Sequence, residues 1–303
     1  MTIYDYLPVK IKQEAKCYEN HNLEEIRVRN GYKTNYICRE KSFLGIACSY
    51  EDIEEMINYL SDYSWYAISE QLKNGFFTVK GGHRIGVAGR MGYEKNTIKS
   101  IADIGALNIR IAHEVKGIAR EIVPYLINEN GILNSLFVSL PGAGKTTYLR
   151  DTIRILSGGE CGRRIKVGVV DERSEIAACF KGRPQNDMGQ SCDVMDNCPK
   201  TIGMQMMLRS MSPEVIAVDE LGTNEDFLEV EKIIRSGIKI LGTIHCSLEE
   251  LRYKAVPADI ERFVYIEKTD LGRRKVRIFD KNFRELFPDD GNSRRIGSLE
   301  NKK

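Results

Sequence analysis

Seven residues, Pro141-Gly142-Ala143-Gly144-Lys145-Thr146-Thr147, set two glycines, a lysine and two hydroxyls in an order that suits a bound polyphosphate. The glycines let successive backbone N–H groups turn inward on the anion, and a helix opening at Lys145 presents its positive end to the same charge. Lys145 is then placed to reach the β and γ phosphates, and the Thr146 hydroxyl to ligate Mg²⁺. Asp219-Glu220 supplies the complementary chemistry: an aspartate that holds the metal ion or its water, and a glutamate that polarises an attacking water. The two motifs together point to a nucleotide that is hydrolysed rather than stored. The eight-residue form of such a loop begins with glycine, and here Ser139 stands in that place.

More polar groups fall beside these two motifs. Asp171-Glu172-Arg173-Ser174-Glu175 offers carboxylates and a guanidinium, and Thr243 and His245 offer a hydroxyl and an imidazole. Each alone has a bland reading: a histidine at a strand end is usually structural, and Asp-Glu-Arg-Ser can cap a helix. Delivered by separate strand ends to one edge, they mark the place where a γ phosphate would lie. A transition-state arginine is sought among Arg209, just before the Asp219-Glu220 strand, and Arg84, Arg90 and Arg110; it can come from the same or a neighbouring subunit.

The elements that must carry these residues read as strand, helix, strand. The run 135–139 precedes the glycine loop, 145–156 follows it as a helix, and strands are expected at 166–170, 215–218 and 238–244, each ending in polar residues. Near-continuous β-branched runs suit strands buried on both faces, whose carboxyl ends bind ligands. The first third reads as a smaller α+β unit. It has a strand and turn over 23–31, a helix over 51–60, a hairpin around Gly81-Gly82 and a strand over 107–112. Residues 115–130 have helical spacing interrupted by Pro124. A final hairpin is expected around Asp270-Leu271-Gly272. The domains are therefore 1–117, 118–286 and a polar, disordered tail 287–303.

Composition narrows the class. The 45 basic and 43 acidic side chains are too balanced for a nucleic-acid footprint, so no nucleic-acid partner is expected, although 268–303 hold 11 basic against 6 acidic residues. No run approaches the ~20 apolar residues that cross a bilayer, and the first residues lack a basic and then apolar leader, so a soluble cytoplasmic protein without direct membrane insertion is expected. The 8 cysteines lack paired C-x-x-C spacing and suit a reduced compartment better than a disulfide framework or a zinc site.

The motifs from Leu23-Glu24-Glu25-Ile26-Arg27 through Gly81-Gly82-His83-Arg84-Ile85-Gly86, Leu107 to Ala112, the glycine loop, Val169 to Ile176, Pro184-Gln185-Asn186-Asp187 and Arg209 to Glu220 resemble the stage III sporulation protein AA family, relatives of the type II and type IV secretion ATPases. The resemblance runs from about residue 20 to 280. It implies an α/β fold, a RecA-like P-loop ATPase core with a mainly parallel sheet and flanking helices, preceded by the smaller α+β domain. It also implies a homo-oligomer, a ring of six, peripherally held by membrane proteins of the sporulation channel complex on the mother-cell side of the forespore membrane. In the secretion relatives Asp171 to Glu175 would fall on the aspartate box, Glu220 on the catalytic glutamate, and Thr243-Ile244-His245 on the histidine box. Asp219 stands where those relatives often carry glycine.

The resulting expectation is an ATP-hydrolysing motor subunit with Mg²⁺. Pro141, Gly142, Ala143, Gly144, Lys145, Thr146 and Thr147 bind the nucleotide, Thr146 and Asp219 hold the metal, and Glu220 polarises water. Glu172 and His245 sense the γ phosphate, and Arg209 completes the site. The alternatives are a nucleotide-binding assembly scaffold with little turnover, which Ser139 favours, and a small-molecule kinase or GTPase, which the missing Asn-Lys-x-Asp motif disfavours.

Overall fold

The computed structural model describes residues 2–39, 41–64, 68, 71–72, 75–94, 97–269 and 274–287. The hairpin turn expected at 270–272 and all of the expected tail beyond Phe287 lie outside the described residues. The chain divides into two compact units: Met1–Glu114 with Ala177–Asp187, and Val115–Ile176 with Met188–Lys303.

In the first unit, helix α1 (Val9–Cys17) precedes strands β1 (Leu23–Arg29), β2 (Lys33–Cys38) and β3 (Ser42–Ala47), then helix α2 (Tyr50–Leu60) and strands β4 (Phe76–Thr78), β5 (Arg84–Glu94) and β6 (Thr97–Arg110). The sheet runs β3-β2-β1-β6-β5-β4. Alternation along β1 sends Ile26 and Val28 into the core, and a register shift between Leu23 and Glu25 lets Leu23 join them against Ile53, Met56 and Leu60 of α2. α2 starts with a capping box in which Ser49 and Asp52 satisfy each other's backbone N–H groups.

The segment Ala177–Asp187, which the sequence reading assigns to the second domain, belongs to this first unit. Its polar residues explain why: the Gln185 side chain accepts from Gly81 N at 2.8 Å, and Asp187 N donates to Glu114 Oε1 at 2.6 Å. Gly82, at φ +77°, lets Ala178 and Gln185 approach its Cα, since an added Cβ would stand 3.2 Å from that of Ala178.

His83, beside that turn, is buried and accepts from Ala112 N through Nδ1 at 3.1 Å. Burial, with a smaller push from His113, brings its pKa from 6.5 down to about 4. A neutral buried imidazole stabilises the fold fully above the unfolded value, and that contribution is lost as pH falls from 6.5 towards 4, about 3 kcal/mol in full by linkage. Urea unfolding of the first unit should therefore weaken between pH 7 and 4.5, and His83→Asn, which keeps an acceptor but cannot titrate, should flatten that dependence. Equal slopes in the two proteins would refute it.

The second unit begins with a departure from the sequence reading. Residues 115–130 form no α-helix but turns, a 3-10 turn at Val123–Leu126 and the paired strands β7 (Ile127–Asn128) and β8 (Gly131–Ile132). Pro124 cannot donate to a helical ladder, and the N–H groups of Gly117 and Ala119 are taken by Asp151. Then follow β9 (Ser135–Ser139), α3 (Lys145–Gly158), β10 (Val167–Asp171), β11 (Cys192–Asp196), α4 (Lys200–Ser210), β12 (Val215–Val218), α5 (Asn224–Arg235), β13 (Lys239–His245), the single turn α6 (Leu248–Leu251), β14 (Arg262–Lys268), β15 (Arg274–Asp280) and β16 (Glu285–Phe287). The sheet order is β11-β10-β12-β13-β9-β14-β15-β16. Pairs from β11 to β14 are parallel, and β14-β15-β16 pair antiparallel.

Both faces of this sheet are covered, as its apolar runs require. On one face Leu136, Val138, Val170, Ile216, Val218, Ile240 and Ile244 pack against Met204 and Met207 of α4 and Phe227, Val230 and Ile233 of α5. Alternate residues Phe137, Val169, Ala217 and Leu241 point the other way and are fully buried. Helix α3 lies along β9, β10, β11 and β13. It also bonds to the second unit's side of each place where the chain leaves for the first: Asp151 to Gly117 and Ala119, Arg150 to the carbonyls of Glu175 and Ile176, and Ser157 to that of Met188.

Candidate functional site

Four parallel strands, β10, β12, β13 and β9, end at one edge of the second unit's sheet in Asp171, Val218, His245 and Ser139. The glycine loop leaves β9 there. Gly142 and Gly144 take φ of +78° and +106°, a region open to glycine, and Gly144 caps α3. No backbone hydrogen bond of the described residues uses their N–H groups outside the regular elements, so the loop presents donors beside the positive end of α3. Pro141 is exposed, Ala143 is buried, and Thr147 N closes the first turn on Gly144 O at 3.0 Å. Ser139 is fully buried, its hydroxyl donates to Leu140 O at 2.9 Å, and it is not in the left-handed region, so this position makes no conformational demand for glycine.

Strand order brings the rest of the site together. Because β13 lies between β9 and β12, its residues Thr243 and His245 stand between the glycine loop and Asp219-Glu220. Lys145, 6 % exposed, has Nζ 2.8 Å from His245 Nε2, and that same nitrogen is 3.2 Å from Glu220 Oε1. Thr146 Oγ1 donates to Asp219 Oδ2 at 3.0 Å, while Thr243 Oγ1 donates to Asp219 Oδ1 and accepts from Glu220 N. His245 Nδ1 is buried without a partner among the described residues.

Glu220 is itself at φ +53°, an uncommon place for a residue with a Cβ. Its N–H is fixed by Asp219 Oδ1 at 3.0 Å and Thr243 Oγ1 at 2.8 Å, which hold the turn and project the carboxylate out of the strand end. Burial pushes the Glu220 carboxyl up, but the hydrogen bond to His245 and the charges of Arg173 and Lys145 outweigh it, leaving the pKa below the ordinary glutamate value.

The Asp171–Glu175 segment divides its labour. Asp171 is buried and accepts from Glu175 N at 2.8 Å and Ile176 N at 3.0 Å, so it shapes the turn. Glu172 and Arg173 open into a cleft lined also by Glu175, Lys200, Asp219 and Glu220. There Glu172 Oε2 is engaged by Lys200 Nζ at 2.8 Å rather than by His245. Arg173 Nη1 is 3.0 Å from Glu220 Oε2.

Arg209 does not join them. It is exposed in the last turn of α4 and makes no hydrogen bond or ion pair among the described residues, because the face α4 turns to the sheet carries Met204 and Met207 instead. Two basic residues not singled out from sequence do approach the site: Lys200, through Glu172, and Arg274, whose Nε donates to Ala143 O of the glycine loop at 3.0 Å. Arg274 is 131 positions from that carbonyl, a separation at which no local pattern could announce the contact.

The donor set suits a small hard cation. Thr146 and Asp219 bring two oxygens together. That is the balance expected of Mg²⁺, which takes few protein ligands and fills its octahedron with phosphate oxygens and water.

The fold has counterparts in solved proteins. The ATPase DotB of Legionella pneumophila matches with a TM-score of 0.61 at 15% identity, over 91% of this chain and 81% of that one. The pilus retraction motor PilT with bound ADP matches with a TM-score of 0.60 at 14% identity, over 92% of this chain and 82% of that one. At such identities the likeness shows the fold, an α/β P-loop ATPase fold. In sequence, the stage III sporulation protein AA of Bacillus subtilis (strain 168) is 44% identical over 225 residues, 74% of this chain and 73% of that protein. The family model described as "Sporulation stage III, protein AA" matches residues 2–281, and the chain belongs to that family.

Proposed function

We propose that this chain is an ATP-hydrolysing motor subunit of the secretion-ATPase type, acting in sporulation. The observation that carries the reading is the meeting of three motifs distant in sequence: Thr146 on Asp219 at 3.0 Å, and Lys145 and Glu220 on either side of His245 Nε2. A triphosphate seated on the glycine loop would draw Lys145 to its β and γ oxygens. Thr146 and Asp219 would hold Mg²⁺, whose chemistry there is to neutralise phosphate charge. Glu220, ionised and fixed at its strand end, would take a proton from the attacking water while the water oxygen bonds to the γ phosphorus and the bond to the ADP oxygen breaks. His245, freed from Lys145, keeps its contact with Glu220 and reports whether the γ phosphate is there; Glu172, joined to Lys200, borders the same cleft.

The likeness of fold to DotB and PilT supports a ring, of six subunits, as the working form. Among the described residues no helix is long and apolar enough to cross a membrane. The reading places the chain at the mother-cell face of the forespore membrane, held there by membrane proteins of the channel complex. Phosphate release from the purified protein, at concentrations that permit rings and with ATP and Mg²⁺, tests the reading. The wild type should turn over and Lys145→Ala should lose at least ~100-fold of it. Equal release from both proteins would refute the motor assignment.

A further inference from the structure

Glu220 has a partner on each carboxylate oxygen. His245 Nε2 stands 3.2 Å from Oε1, on the side of Lys145, and Arg173 Nη1 stands 3.0 Å from Oε2, on the side of the open cleft. The guanidinium is well anchored at its root. Asp171 accepts two backbone N–H groups of the same turn, and Ser174, at φ +52°, bonds through its hydroxyl to Asp196 of β11. Its head reaches into a cleft lined by five carboxylates and one other cation, Lys200, which is only 16% exposed and already held by Glu172. Arg173 is 61% exposed and Glu220 28%, so a static surface ion pair here would add little to stability. What the contact does fix is direction: a carboxylate tethered by one oxygen can turn only the other toward a water.

We infer that Arg173 is a positioning residue for hydrolysis, holding Glu220 by Oε2 so that Oε1 faces the water beside the γ phosphate. This rests on the ATPase reading above, and it assigns to the same chain an arginine that acts through the catalytic glutamate. Lysine cannot replace it fully, because a point charge lacks the planar fork that fixes a carboxylate's orientation.

The test uses the whole chain, with kcat and KM for ATP measured for wild type, Arg173→Gln, Arg173→Lys, Glu220→Gln and the Arg173→Gln/Glu220→Gln pair. Arg173→Gln should lower kcat by about 10–100-fold, the usual cost of losing a partner that orients a reacting group, with KM within about threefold. Arg173→Lys should restore only part of kcat. In the Glu220→Gln background the arginine change should cost nothing further. An unchanged kcat in Arg173→Gln, a loss confined to KM, or additive losses in the double variant would overturn the inference while leaving the ATPase reading intact. Wild-type turnover no greater than that of Lys145→Ala would instead overturn the ATPase reading, and this inference with it.

Discussion

Glu220→Gln should bind ATP as tightly as the wild type and hydrolyse it about 10²–10⁴ times more slowly, the range that a general base contributes. Glutamine is the same size and keeps one carbonyl oxygen, so the side chain stays held through Arg173, the donor on Oε2. What disappears is the ability to take a proton. On the proposed reading the nucleotide would meet other residues, the loop 141–147 and the Thr146–Asp219 pair, which the substitution does not touch. Binding and turnover should therefore separate, with nucleotide affinity by calorimetry changed less than about threefold while single-turnover release collapses. Parallel loss of affinity and rate would mean that Glu220 shapes the binding site rather than the chemistry.

The largest effect on stability is expected at Asp151, away from the phosphates. Its side chain is fully buried in α3 and accepts from Gly117 N at 3.0 Å, Ala119 N at 2.8 Å and Arg154 Nε at 2.8 Å. Arg154 is only 10% exposed, and one of its terminal nitrogens has no partner among the described residues. Asp151→Ala would orphan two backbone donors and leave a buried guanidinium with Glu160 alone. Breaking a buried charge pair from one side costs about 3–5 kcal/mol, and each unpaired buried donor about 1–3, in overlapping measure. A loss of about 3–5 kcal/mol in the second unit, read from hydrogen exchange of α3 amides in rising urea, is the expected result; a loss below about 1 kcal/mol would show that water or a relaxed turn replaces the carboxylate.

Much of the site is legible in sequence because its parts are short and contiguous. The glycine loop needs only its own seven residues, since the left-handed turns at Gly142 and Gly144 and the helix opening at Lys145 are local matters of φ and of unpaired N–H groups. The strands β9, β10, β12 and β13 announce themselves as unbroken apolar runs because each is buried on both faces. The edge strand β11, half-buried and polar at Asp193 and Asp196, carries no such signal and is missed. Residues 115–130 mislead for the opposite reason: their spacing is helical, yet Pro124 and the reach of Asp151 decide otherwise.

By itself, then, the amino-acid order determined the family, the α/β class of the second unit and which side chains could handle a phosphate. Only the tertiary structure decided who meets whom. Inserting β13 between β9 and β12 sets His245 between Lys145 and Glu220, and the turn after β10 gives Arg173 to Glu220 and Glu172 to Lys200 while leaving Arg209 outside. The partners in these contacts are tens of residues apart, so their meeting depends on strand order and on the burial of whole faces. No local spacing encodes either of these.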